Sequence, residues 1–146
     1  MKLKIVMSQK TSTKVDEKLI LDWGTRIGLA VNAESGRDER GERLGKSQLE
    51  NLIASLESVG GREALLATAA FALRQGVRLK AKSTGRVVAN ALLDLYSKGG
   101  TKDDARKMLV IAKWVFEASE YFKAGRVDYN TITLEDYLRQ ATRGGR

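Results

Sequence analysis

Arg74, Arg78 and Lys82 recur at four-residue intervals, with Lys80 and Arg86 beside them and Phe71 just ahead. Residues four apart share one face of a helix. Three long cations in a row can therefore follow successive phosphates of a polyanion, while a nearby ring stacks on a base or fills a partner's pocket. No carboxylate occurs from Ala64 through Leu93. A merely solvated helix usually mixes both signs for local pairing. The one-signed stretch thus predicts a nucleic-acid surface built on Phe71, Arg74, Arg78, Lys80, Lys82 and Arg86.

Several kinds of chemistry are excluded by composition. The chain has no Cys, so disulfides, thiolate nucleophiles and cysteine zinc sites cannot form. It has no His either, which removes the side chain best suited to proton transfer near neutral pH and rules out a Ser-His-Asp triad. Carboxylate–magnesium or Lys/Tyr chemistry remains. Asp103, Asp104 and Glu120 are the candidates for a magnesium-dependent nuclease, but the two aspartates stand where a helix starts and capping accounts for them. The acids between Glu34 and Arg43 alternate with arginines and lack calcium-loop spacing, so that segment reads as a solvated loop. Gly60-Gly61 and Gly99-Gly100 read as helix stops, and the lysine of a phosphate-cradling loop is missing. The expectation is a protein with no catalytic site, no metal and no cofactor.

The elements that must carry the cations are helical. Pro is absent from the 146 residues, so nothing interrupts long helices. Helical spacing marks Leu19, Ile20, Trp23, Ile27 and Val31 in a first helix, about 15–31. Ser47 and Glu50 have the spacing of a capping box for a second helix, which Gly60-Gly61 ends. A third helix runs from Arg62 to Val77 or beyond. Its Leu65, Leu66, Ala69, Ala70, Leu73 and Val77 are expected inside, opposite the cations, and a bend at Gly76 would rotate the later ones out of line. A fourth follows Thr84. Thr101 and Asp104 cap a fifth that reaches about Lys123, and a short sixth follows Thr133. The fifth helix is apolar around most of its circumference, so it is either central to its own domain or shared with another subunit through Trp114 and Tyr121.

Short connections make neighbouring helices antiparallel. The expected fold is all-α: one single-domain helical bundle of about five to six helices over 15–146, preceded by a flexible basic arm, 1–14, and closing in a tail from about 124. The alternation of Leu3, Ile5 and Met7 within that arm also suits a strand completed by a partner. No apolar run approaches the ~20 residues of a membrane span, and the N-terminus lacks a signal-peptide core, so a cytoplasmic protein with no membrane partner is expected. The formal net charge is +8 and concentrates in 61–100, which carry seven basic and two acidic residues.

Three stretches carry a resemblance. Lys46-Ser47-Gln48-Leu49, the segment FALRQGVR from Phe71 to Arg78, and the run from Ala105 to Phe122 resemble, in order and spacing, the small helical-bundle subunit of type III CRISPR–Cas effector complexes in its Csm-type form. The resemblance implies a non-catalytic, architectural role in antiviral defence. Several copies would line up beside a guide–target RNA duplex, or a single-stranded target, and hold its backbone while other effector subunits cut. It adds Lys46 and Gln48 to the candidate RNA contacts. Where the family often has a basic residue, two positions after the glutamine, this chain has Glu50, and 34–43 and the region beyond Ala124 have no counterpart. A free-standing DNA-binding protein using the fourth helix, led by Thr84 and Arg86, is the alternative, although that helix carries few side chains able to read base edges.

Overall fold

The computed structural model describes residues 15–36, 40–41 and 44–143. Among them the chain forms six helices and no strand: α1 Glu17–Glu34, α2 Leu44–Ser58, α3 Glu63–Arg78, α4 Lys82–Ser97, α5 Lys102–Ala118 and α6 Leu134–Arg143. No helix of the described residues is long and apolar enough to cross a membrane. The expected N-terminal arm, 1–14, lies outside the described residues.

Local chemistry sets the starts. Asp16 caps α1, its carboxylate accepting the Lys18 N–H. Thr101 and Asp104 form the expected capping box of α5, each side chain accepting the other's backbone N–H. The Thr133 hydroxyl accepts the Asp136 N–H at the start of α6. The box expected at Ser47 and Glu50 does not open α2, because that helix has already begun at Leu44. Likewise α4 starts at Lys82, ahead of Thr84, and α5 stops at Ala118, so Tyr121 lies in the turn beyond it.

Two pairs of helices approach closely, and glycine makes both possible. A Cβ on Gly28 of α1 would lie 2.5 Å from the Ala112 carbonyl oxygen of α5, and one on Gly24 would lie 2.7 Å from that of Met108. In the second pair, a Cβ on Gly76 of α3 would lie 2.9 Å from the Ala81 carbonyl and 3.3 Å from the Gly85 Cα of α4. Gly76 therefore serves contact, and α3 runs through it to Arg78 instead of bending there.

Interhelical bonds fix the directions. Gly24 and Gly28 meeting Met108 and Ala112 make α1 and α5 parallel. Thr84 bonds Glu34, and the Trp23 indole N–H donates to Asp94 at 2.9 Å, so α4 runs antiparallel to α1. Ser55 meets Thr68, and Lys113 and Arg106 reach Glu50 and Glu57, so α2 is antiparallel to both α3 and α5. The five helices form a ring in the order α1, α5, α2, α3, α4. Ile20, Ile27, Leu49, Leu52, Leu56, Leu65, Leu92 and Leu109 are buried within it.

Residues 125–143 pack on the bundle and include the short sixth helix expected after Thr133. Ile132, Tyr137 and Ala141 bury against Leu29 and Val115 in a second apolar cluster. The Tyr137 hydroxyl donates to the Phe122 carbonyl, the Leu134 N–H to Asp22, and the Arg26 guanidinium to the Ile132 carbonyl at 2.8 Å. This stretch is strapped across α1 and α5.

Candidate nucleic-acid interface

The directions just given gather five termini at one end of the ring. The C-terminal ends of α1, α3 and α5 meet there with the N-terminal ends of α2 and α4. The three residues between α3 and α4 turn tightly. Leu79 donates to the Gln75 carbonyl, Ala81 to that of Gly76, and Lys80 takes a left-handed φ of 57°. Arg78, Lys80, Lys82 and Arg86 surround this turn with Arg74 one helical turn behind, and all five are exposed. Lys82 belongs to α4, so the cations do not extend down one helix face as their spacing suggested. They wrap the tip of a helical hairpin instead.

Their electrostatic state is distinct. Elsewhere cations and acids neutralise one another: Arg106 bridges Glu57 and Asp103, Lys113 meets Glu50, Lys107 meets Glu17, and Lys98 meets Asp94. Among the described residues none of the five hairpin cations makes an ion pair, because α3 and α4 supply no carboxylate between Ala64 and Leu93. One acid approaches from α1. The Glu34 carboxylate accepts both the backbone N–H and the hydroxyl of Thr84, at 2.6 and 2.5 Å, and so occupies the positive N-terminal end of α4.

The remaining candidates divide. Lys46 is exposed near the start of α2, at the same end of the ring. Gln48 is 3% exposed. Its burial takes it off the surface, so it is withdrawn as a surface contact. Phe71 is half-buried and packs on the main core, which leaves its ring less free to stack than the sequence suggested. Thr84 is fully buried, as expected of a structural hydroxyl and not of a residue that reads bases.

The face expected inside α3 is corrected in part: Leu65 and Ala69 are inside, but Leu66, Ala70, Leu73 and Val77 are not. Ala64, Leu65, Thr68, Ala69, Ala72, Gln75 and Gly76 are buried. Leu73 and Val77 are 47% and 64% exposed, and Leu66 is exposed beside them. Close approach to α4 needs small side chains, so alanine, threonine and glycine line the contact and the leucines of the outer face remain outside. Sequence reasoning missed this apolar ridge; the signal was the run of small residues at Thr68, Ala72 and Gly76.

Two of the three acids weighed for magnesium are engaged in helix capping and ion pairing. Asp104 completes the α5 capping box and Asp103 pairs with Arg106. Trp114 on α5 is 62% exposed and Tyr121, in the turn beyond it, 81%, so both rings lie outside the core although the opposite side of α5 is buried. Comparison with known proteins finds no match: no family model, no curated protein and no solved structure.

Proposed function

We propose that the chain is a non-catalytic RNA-backbone-binding subunit, of the kind that the resemblance to type III CRISPR small subunits implies, working beside other effector subunits that cut. The observation that carries the reading is the hairpin tip, where Arg74, Arg78, Lys80, Lys82 and Arg86 stand exposed and without acidic partners among the described residues. Unpaired cations on a stiff scaffold favour phosphates without choosing a base sequence. The scaffold is stiff because Gly76 and Gly85 lock α3 against α4 immediately behind the tip.

The DNA-binding alternative loses support from the same geometry. A helix-turn-helix sets its two helices at about 90–120° with the second free to enter a groove. Here α3 and α4 lie antiparallel in close contact along their length. A further point favours the backbone reading: the α4 N-terminal end, where a recognition helix would meet bases, is held by Glu34.

Replacement of Arg78, Lys82 and Arg86 together by Glu tests the reading. Each phosphate contact to a single strand contributes about 0.7 to the logarithmic salt slope, so the triple variant should flatten the slope by roughly 2 and weaken binding alike across sequences. All three side chains are exposed, so helix content and melting temperature should be little changed. An unchanged slope in the folded variant, alone and assembled with its partners, refutes the assignment. Binding confined to one duplex DNA sequence would favour the alternative.

A further inference from the structure

The end of the ring that carries the basic hairpin also carries a pocket that phosphate contacts alone do not use. It lies between the C-terminal part of α1 and the chain that follows α5, two segments that share this end. Leu29, Ala33, Val127 and Tyr129 supply apolar walls, Asn32 an amide, and the exposed Lys123 a cation at the edge. Its volume is about 230 Å³, below the about 300–1,000 Å³ of sites for drug-sized ligands. A space of that size suits one planar ring system and not a longer ligand.

The walls are set by the fold. Tyr129 packs on both apolar clusters. The chain around the pocket is pinned by the Tyr137 hydroxyl, which donates to the Phe122 carbonyl at 2.9 Å. A second anchor is the turn in which Thr131 and Ile132 donate to the Asp128 carbonyl. Between the two anchors Gly125 takes a left-handed φ of 77°, a conformation that glycine adopts without strain.

Polar groups define what fits. The Asn32 side-chain N–H donates to the Phe116 carbonyl at 3.3 Å, which leaves its amide oxygen as an acceptor with no protein partner. Every nucleobase carries an N–H donor on its Watson–Crick edge, and pairing consumes that donor. An acceptor in the wall thus admits any base, provided the base is unpaired. Lys123 and Arg126 make no ion pair among the described residues and are free to meet the phosphates beside such a base. Glu34 links the pocket to the hairpin. Burial, and then the nearby charge of Glu34, raise the Tyr129 pKa, and the same carboxylate accepts the Thr84 hydroxyl at the start of α4.

We infer that this pocket takes a single unpaired nucleobase, turned out of its stack, from a strand whose backbone the hairpin holds. Leu29 and Tyr129 give the base apolar contact, Asn32 accepts its N–H, and Lys123 meets its phosphate. The ligand is then a single strand and not a fully paired duplex. The inference rests on the RNA-backbone reading and adds a base contact to it.

Two strands of equal length and charge, an oligouridine and an abasic ribose-phosphate chain, test it on the full-length protein. Fluorescence anisotropy should show wild type binding the oligouridine roughly tenfold more tightly, the scale of one base stacked on a side chain, with equal salt slopes for both. Ala33→Phe fills the pocket from an exposed helix position and leaves every cation in place. It should bind both strands as wild type binds the abasic one. Val127→Phe fills the space from the opposite wall and serves if circular dichroism shows that Ala33→Phe loses helix. Equal affinity of wild type for the two strands overturns the pocket and leaves the backbone reading standing. A preference that survives in the filled variants also overturns it, and moves the base contact to the exposed rings of Tyr121 and Phe122. Binding of neither strand in a salt-dependent way removes the backbone reading, and the inference with it.

Discussion

The Asp94 carboxylate shows how single residues hold this bundle in register. It accepts the Trp23 indole N–H from α1 at 2.9 Å and the Lys98 ammonium at 2.7 Å. Burial is the largest single influence and pushes its pKa up, yet the hydrogen bonds from Lys98 and Trp23, with the nearby positive charges, outweigh it and leave the pKa below the ordinary 3.8. A carboxylate whose folded pKa is depressed stabilises the fold above its unfolded pKa, and that contribution is lost as the pH falls through the folded value. The α1–α4 contact should therefore weaken below about pH 4. In Asp94→Asn this acid-dependent component should vanish: urea midpoints measured from pH 6 to pH 2 should fall less steeply than in wild type. Equal slopes would show that Asp94 is not a source of the acid sensitivity. At this scale the sequence was partly legible. Thr101 and Asp104 could be placed because a cap acts within four residues. The Trp23–Asp94 and Glu34–Thr84 bonds join residues 71 and 50 positions apart, and no local spacing announces them.

Helices were legible wherever large apolar residues face inward, as Leu49, Leu52 and Leu56 do in α2. The same rule placed Leu65 of α3 correctly but misplaced Leu66, Leu73 and Val77. A reading that equates leucine with the interior cannot see that α3 meets α4 through Ala72 and Gly76. The hairpin tip was legible as charge but not as shape, since the tight turn at 79–81 moves Lys82 onto the next helix. Small residues are the principal device of this fold, and Gly28 is its most sensitive instance. Alanine normally stabilises a helix interior over glycine by about 1 kcal/mol. At Gly28 its methyl would lie 2.5 Å from a backbone carbonyl oxygen that cannot rotate away, so α1 and α5 must separate. Overpacking of this kind costs about 1–3 kcal/mol, enough to reverse the propensity gain. Gly28→Ala should melt below wild type by differential scanning calorimetry, with Ala33→Gly, at an exposed position of the same helix, as the control for propensity alone. A Gly28→Ala protein that melts higher than wild type would remove the close α1–α5 approach as a structural requirement.

The whole molecule concentrates its unpaired cations at one end of the ring, where Arg74, Arg78, Lys80, Lys82 and Arg86 surround the turn between α3 and α4. Several exposed cations elsewhere have acidic partners: Lys98 meets Asp94, Lys107 meets Glu17 and Arg139 meets Glu135. If the tip holds phosphates as proposed, its few contacts are screened at physiological salt, so one copy should bind single-stranded RNA weakly. The Arg78, Lys82 and Arg86 triple variant should then lose affinity alike for short and long RNA. A matched variant with Lys98, Lys107 and Arg139 replaced by Glu carries the same net charge but keeps the tip, and it should bind nearly as wild type does. Fluorescence anisotropy at several salt concentrations separates the two. If both variants lose affinity equally, net charge and not the tip governs binding.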